Sequence, residues 1–234
     1  ALRPGQLFDH PTVEALAAAA TPTGPGAADE GAVAGPVPLT PIQRWFFEQD
    51  HPTARHVHHF NQAVLLEVPA DTDPDLLRGA LEELQAHHDA LRLRFTPSTD
   101  AAGRTTWAQE CLATADEVVF EVVNLARTPE AQRPAALERH ATRLQTGLDI
   151  TAGPIMRAAF VRMGPGEPCR LLWVVHHLVV DAVSWQILLP DLATAWRRLA
   201  ADEAPTLPPR TASFKRWSER LGELAARDDF AAER

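Results

Sequence analysis

The sequence predicts an α+β fold in which a layered sheet carries flanking helices, and three observations carry that expectation. Helical and strand-like stretches are interleaved along most of the 234 residues, each recognisable by its apolar spacing. Two apolar strand candidates flank Gly164-Pro165-Gly166-Glu167, a turn composition that makes an antiparallel hairpin. No regular β-α-β alternation runs through the chain, which argues against a doubly wound parallel sheet.

Taken in order, residues 1–20 carry apolar side chains at Leu2, Leu7, Phe8, Val13 and Leu16, and Asp9 is placed to cap a helix whose first turn contains Pro11. Twenty residues cannot fold alone, so this piece reads as the tail of a preceding domain. Residues 21–38 are rich in Pro, Gly and Ala, have too few large apolar side chains to join a core, and read as a linker. The main domain is then 39–234. Within it Pro41 to Gln49 predicts a helix and Phe60 to Val68 a strand. Asp75 to His88 sets Leu76, Leu77, Ala80, Leu81 and Leu84 on one face, the three-four spacing of an amphipathic helix. Leu91-Arg92-Leu93-Arg94-Phe95 alternates as a strand does, with both arginines on one side. Val118 to Val123 predicts a strand and Glu130 to Gln145 a helix. Ile155 to Met163 and Cys169 to Val175 are the two hairpin strands. A helix follows from about Val183, in which Pro190 is expected to cause a kink or a division. The last helix spans roughly Ser213 to Arg227.

Composition removes several function classes. With 22 Lys plus Arg against 31 Asp plus Glu, the net charge of −9 repels a polyanion, and no basic run is interleaved with aromatic residues. Nucleic acid is therefore not an expected partner. No apolar run reaches the roughly 18 residues of a membrane span, and the first residues lack the apolar stretch of a signal peptide, so a cytoplasmic location is expected. Cys111 and Cys169 form no C-x-x-C unit and are read as reduced thiols. His51, His56, His58 and His59 cluster locally, but no acidic or cysteine partner sits at ligand spacing, and no metal is expected. The chain opens on Ala1 rather than Met and is read as a segment of a longer protein.

The candidate chemistry lies at His176-His177-Leu178-Val179-Val180-Asp181. The apolar strand Leu171-Leu172-Trp173-Val174-Val175 leads straight into the two histidines. Successive residues of an extended chain point to opposite faces, so one histidine should face a site and the other the scaffold. A neutral imidazole in a dry cleft can accept a proton near physiological pH. Asp181 lies where the chain turns from strand to helix; it can orient a histidine, cap the helix, or pair with an arginine. Ser184 and Trp185 lie near the start of that helix, whose free N–H groups can receive developing negative charge. Taken singly, any one of these residues is more often structural. Trp45, Phe46 and Phe47 read as helix packing, and Trp196, Trp217 and Leu221 as core or lobe-interface residues.

These residues resemble the condensation and epimerisation domains of nonribosomal peptide synthetases, which share their fold with chloramphenicol acetyltransferase and carry a His-His-x-x-x-Asp motif. Pro41-Ile42-Gln43-Arg44-Trp45-Phe46-Phe47, Phe60-Asn61-Gln62-Ala63-Val64-Leu65-Leu66 and Ser213-Phe214-Lys215-Arg216-Trp217 are similar to segments of the epimerisation branch. His88-Asp89-Ala90-Leu91-Arg92-Leu93-Arg94-Phe95 is similar to a segment common to the superfamily. Asp181-Ala182-Val183-Ser184-Trp185 is closer to the Asp-Gly-Val-Ser-Trp of epimerisation domains than to the Asp-Gly-Trp-Ser of condensation domains. Leu7-Phe8-Asp9-His10-Pro11-Thr12-Val13 looks like the end of a peptidyl carrier domain.

The resemblance implies that residues 39–234 are the N-terminal lobe of a two-lobe domain with a chloramphenicol acetyltransferase-like fold. It implies that His177 faces the tunnel and exchanges the α-proton of a carrier-bound aminoacyl or peptidyl thioester. His176 would be mainly structural, and Asp181 would hold the turn by pairing with Arg92. Ala182, Ser184 and Trp185 become candidates for the substrate tunnel. No cofactor is bound directly; the substrate arrives on the phosphopantetheine arm of a carrier. The implied partners are the upstream carrier domain, the second lobe and, in some assemblies, a downstream condensation domain. Ala182 departs from the usual glycine, where a methyl could crowd the tunnel or the turn. The second lobe would bring a Glu-Gly-His-Gly-Arg-Glu segment whose glutamate opposes the histidine, and this sequence has no counterpart of it. The resemblance leaves open a condensation-type acyltransferase, a non-catalytic docking lobe for carriers, and an oligomer that completes its site across subunits.

Overall fold

The computed structural model describes residues 12–19, 31, 33–49, 56–210 and 212–226. Two sheets and their helices form the layers. A four-stranded sheet runs in the order β2 (Asn61–Val68), β7 (Cys169–His176), β6 (Met156–Arg162), β5 (Val119–Asn124). A three-stranded sheet runs β1 (Gly35–Val37), β4 (Thr105–Cys111), β3 (Leu93–Thr99). The helices are α1 (Val13–Ala19), α2 (Pro41–Glu48), α3 (His56–His59), α4 (Pro74–His87), α5 (Arg133–Thr146), α6 (Ala182–Ala200) and α7 (Phe214–Ala225).

Leu171 to Val175 of the central strand β7 is buried on both faces, which explains its unbroken apolar run. Leu171, Trp173 and Val175 face the main core, where α4 supplies Leu77, Leu81 and Leu84 and α6 supplies Leu188, Leu192 and Ala195. Leu172 and Val174 face a second cluster built on Ala136 and Leu144 of α5. The two cysteines are free and buried. The expected hairpin is present: β6 and β7 pair antiparallel. Its turn has Pro165 at the second position, Gly166 at φ 77° at the third, and a Glu167 N–H to Gly164 carbonyl bond of 3.2 Å, the signature of a type II turn. One β-α-β crossover does occur, since β5 and β6 are parallel and α5 joins them.

Several expectations are corrected. Part of the stretch read as linker joins the fold: Gly35–Val37 pairs with β4, and Val33 and Val37 are buried. Two valines suffice because a short edge strand needs only one face covered. Residues 89–92 form a 3-10 turn rather than the start of a strand, so Arg92 and Arg94 do not share a strand face. β4 escaped notice because Thr105-Thr106-Trp107-Ala108-Gln109-Glu110-Cys111 contains no apolar run. α6 is neither ended nor divided at Pro190. The helical bond that proline cannot donate would go to the Gln186 carbonyl, and both residues lie on the exposed side, where water can take its place. In α1 the Thr12 hydroxyl accepts from the Ala15 N–H at 3.2 Å, so threonine supplies the cap. Asp9 and Pro11 lie outside the described residues.

Candidate active site

β2 and β7 pair antiparallel with Asn61 opposite His176 and Gln62 opposite Val175, and the ladder continues through His177 N–H to the Phe60 carbonyl at 2.8 Å. Phe60 therefore sits opposite His177, and Gln62 is its diagonal neighbour on the same face. Both contacts form. The Phe60 ring stacks on the His177 imidazole at 4.7 Å and 21°. The Gln62 amide nitrogen lies 3.2 Å from His177 Nε2.

Two fixed ends determine the proton positions along this chain of bonds. The Trp185 indole can only donate, and it does so to Gln62 Oε1 at 2.7 Å, which turns the Gln62 amide N–H toward His177 Nε2. At the other end His177 Nδ1 lies 2.7 Å from the Val180 carbonyl, which can only accept. Nδ1 therefore carries the proton and Nε2 the lone pair. His177 is half-buried with its basic nitrogen held toward the Gln62 amide.

His176 points to the opposite face, as alternation requires. It is completely buried; its Nε2–H donates to the Val57 carbonyl at 2.7 Å, and Nδ1 accepts from the Leu178 N–H at 3.1 Å. Burial pushes its pKa down to about 4, more than the bond to Val57 raises it, so the ring is neutral. It fastens α3 to the turn.

Asp181 caps α6. Its carboxylate accepts from Ser184 N–H at 2.8 Å and from Ser184 Oγ at 2.7 Å, while its own N–H donates to Ser184 Oγ at 3.1 Å. The hydroxyl bond first, and the backbone bond next, hold its pKa below the usual carboxylate value. The expected Asp181–Arg92 pair does not form. Arg92 is buried elsewhere and donates to the carbonyls of Leu112, Gln85, Ala86 and Val33, closing the C-terminal end of α4, where carbonyls lack helical partners. Ser184 is committed to the cap, and the start of α6 is occupied by Asp181 rather than open to a developing charge. Ala182 is the exposed first residue of α6 without positive φ, so its methyl does not strain the turn.

Gln62 is the residue that sequence reading missed. It lay within the Phe60 to Leu66 segment, yet a glutamine neither titrates nor attacks. Its place opposite Val175 could be inferred only once the register was known.

Around this turn three elements leave large apolar side chains in the open. α2, whose Gln43 side chain donates to the Leu178 carbonyl at 3.1 Å, exposes Ile42 and Trp45; the start of β2 exposes Phe60; and α6 exposes Val183 and Ile187. A cleft of about 560 Å³ lies beside Phe60, lined also by Trp45, His56, His59 and Asn61. A larger one of about 760 Å³, between Pro36, Trp107 and Lys215, contains none of the motif residues. No group of three or more His, Cys, Asp or Glu side chains among the described residues could hold a metal; His51 lies outside them. No described helix is long and apolar enough to cross a membrane.

The condensation-domain family model matches residues 33–234. The chain belongs to the condensation-domain family. It is 46% identical over 223 residues to chondramide synthase cmdD of Chondromyces crocatus, covering 95% of this chain and 6% of that protein. It is 34% identical over 227 residues to tyrocidine synthase 1 of Brevibacillus parabrevis, covering 97% of this chain and 20% of that one. Among solved structures, the epimerization domain from the third module of tyrocidine synthetase B superposes with a TM-score of 0.77 at 32% identity, over 88% of this chain and 44% of that domain. The starter condensation domain of rhizomide synthetase gives 0.67 at 17% identity, over 85% of this chain and 46% of that one, a likeness of fold alone. This condensation-family chain thus spans under half of either solved domain and a small fraction of the synthases.

Proposed function

We propose that this condensation-family chain is the N-terminal lobe of an epimerisation domain, which inverts the α-carbon of an aminoacyl or peptidyl thioester on a carrier's phosphopantetheine arm. The observation that carries the reading is the meeting of two segments at one base. Trp185, from the epimerisation-like Asp181 to Trp185 segment, and Gln62, from the epimerisation-like Phe60 to Leu66 segment, join in the bonds that fix His177 Nε2 as an acceptor. An enzyme that removes an α-proton needs such a base.

A thioester carbonyl acidifies the neighbouring carbon, so loss of its proton gives a planar enolate. Return of a proton to the other face inverts the centre, which calls for a second acid on that side. The second lobe would supply it and would cover Ile42, Trp45, Phe60, Val183 and Ile187. This chain alone is then incomplete as a catalyst.

The alternative, a condensation-type acyltransferase, uses the same base to assist an amine attacking the thioester. An aminoacyl-loaded carrier incubated in deuterium oxide with the two-lobe domain separates the two. Deuterium at the α-carbon with formation of the other enantiomer is the expected result. Peptide bond formation without α-exchange would overturn the reading.

A further inference from the structure

We infer that the Gln62 carboxamide, held by the Trp185 indole, is a catalytic hydrogen-bond donor that receives the negative charge forming on the thioester oxygen as His177 removes the α-proton. The inference rests on the epimerisation reading above and adds to it the group that stabilises the enolate.

An oxyanion beside His177 needs an N–H donor aimed at it. The start of α6 does not offer one, because the Asp181 carboxylate already accepts the Ser184 N–H there and would repel a second negative charge. Gln62 does. Its Nε2 is 3.2 Å from His177 Nε2, and its orientation is imposed by the donor-only Trp185 indole 2.7 Å from Oε1. A substrate α-carbon in reacting position stands roughly 3–3.5 Å from the base. Its carbonyl oxygen is about 2.4 Å from that carbon across one C–C and one C=O bond. The oxygen can therefore reach the Gln62 N–H while the α-hydrogen reaches His177.

The atoms balance within this frame. The Cα–H bond breaks and its proton bonds to His177 Nε2. The electron pair moves into the Cα–C bond, and the carbonyl π pair moves to oxygen, which accepts from Gln62. His177 Nε2 has one lone pair, so the Gln62 N–H leaves it as the α-hydrogen approaches and turns onto the developing oxyanion, and the protonated Nε2 cannot take it back. The His177 Nδ1–H remains on the Val180 carbonyl. Reprotonation on the opposite face reverses the electron shifts.

The test uses the two-lobe domain with an aminoacyl-loaded carrier in deuterium oxide, following kcat and KM for α-exchange. Gln62→Met keeps the length and neutrality of the side chain but has no N–H; kcat should fall about 100-fold with KM essentially unchanged, as when one oxyanion donor is removed. Gln62→Glu keeps the acceptor for Trp185 and should lose as much. Trp185→Phe frees the amide to turn and should cost about tenfold in kcat. Parental kcat in both Gln62 variants, or a loss confined to KM, would overturn the inference. Absence of α-exchange in the parent would instead overturn the functional reading on which it rests.

Discussion

At the scale of single residues, the adjacent histidines have opposite chemistry because one backbone step turns them to opposite faces of β7. His176 is neutral, with its pKa lowered to about 4 by burial, whereas an unfolded histidine titrates near 6.5. Between those values the unfolded chain binds the extra proton, so stability is full above about pH 6.5 and is lost as pH falls toward 4. The linkage amounts to about 2 kcal/mol between pH 7 and pH 5. Denaturant unfolding at both pH values, compared with His176→Gln, should show the parent losing that much more than the variant; equal losses would contradict a buried neutral His176. Asp181 acts locally. Asp181→Ala should cost about 1 kcal/mol, the usual effect of losing an N-cap, measurable by the same unfolding experiment. A far larger loss would restore the discarded pairing with Arg92.

At the scale of elements, the turn after β7 is built by three neighbours that hold it with named bonds. α3 holds it through Val57 and His176, α2 through Gln43 and Leu178, and α6 through its Asp181 cap. Arg92 does comparable work at the far end of α4, gathering four carbonyls from three places in the chain. Arg92→Met leaves those carbonyls without their donor in a buried setting and should destabilise by about 3 kcal/mol, read from the denaturation midpoint; a change under about 0.5 kcal/mol would mean that water replaces the guanidinium. These elements differed in how far the sequence disclosed them. The amphipathic spacing of Leu77, Leu81 and Leu84 and the apolar run of β7 announce their structure locally. β1 and β4 are edge or polar strands stabilised by their partners, and no local pattern marks them. Arg92 alternates with leucines as a strand residue would, yet the acceptors that bury it come from distant segments. Pro190 does not divide α6, because the bond it forfeits falls on the exposed side of the helix.

At the scale of the whole molecule, a two-sheet layered fold of the condensation-domain family brings β2, β7 and α6 together so that one imidazole nitrogen is left basic at an apolar rim. His177 was legible from its motif, and its opposite orientation to His176 from strand alternation. The bonds that hold it were not, since Gln62 and Trp185 are 123 residues apart and meet only through register. The direct test of the central claim is His177→Ala in the two-lobe domain, with deuterium incorporation at the α-carbon of the carrier-bound substrate as the readout. Exchange should fall by at least about 100-fold, the lower end of what a positioned general base contributes, while the thermal midpoint stays close to the parent's. Full exchange in a folded His177→Ala variant would contradict the claim.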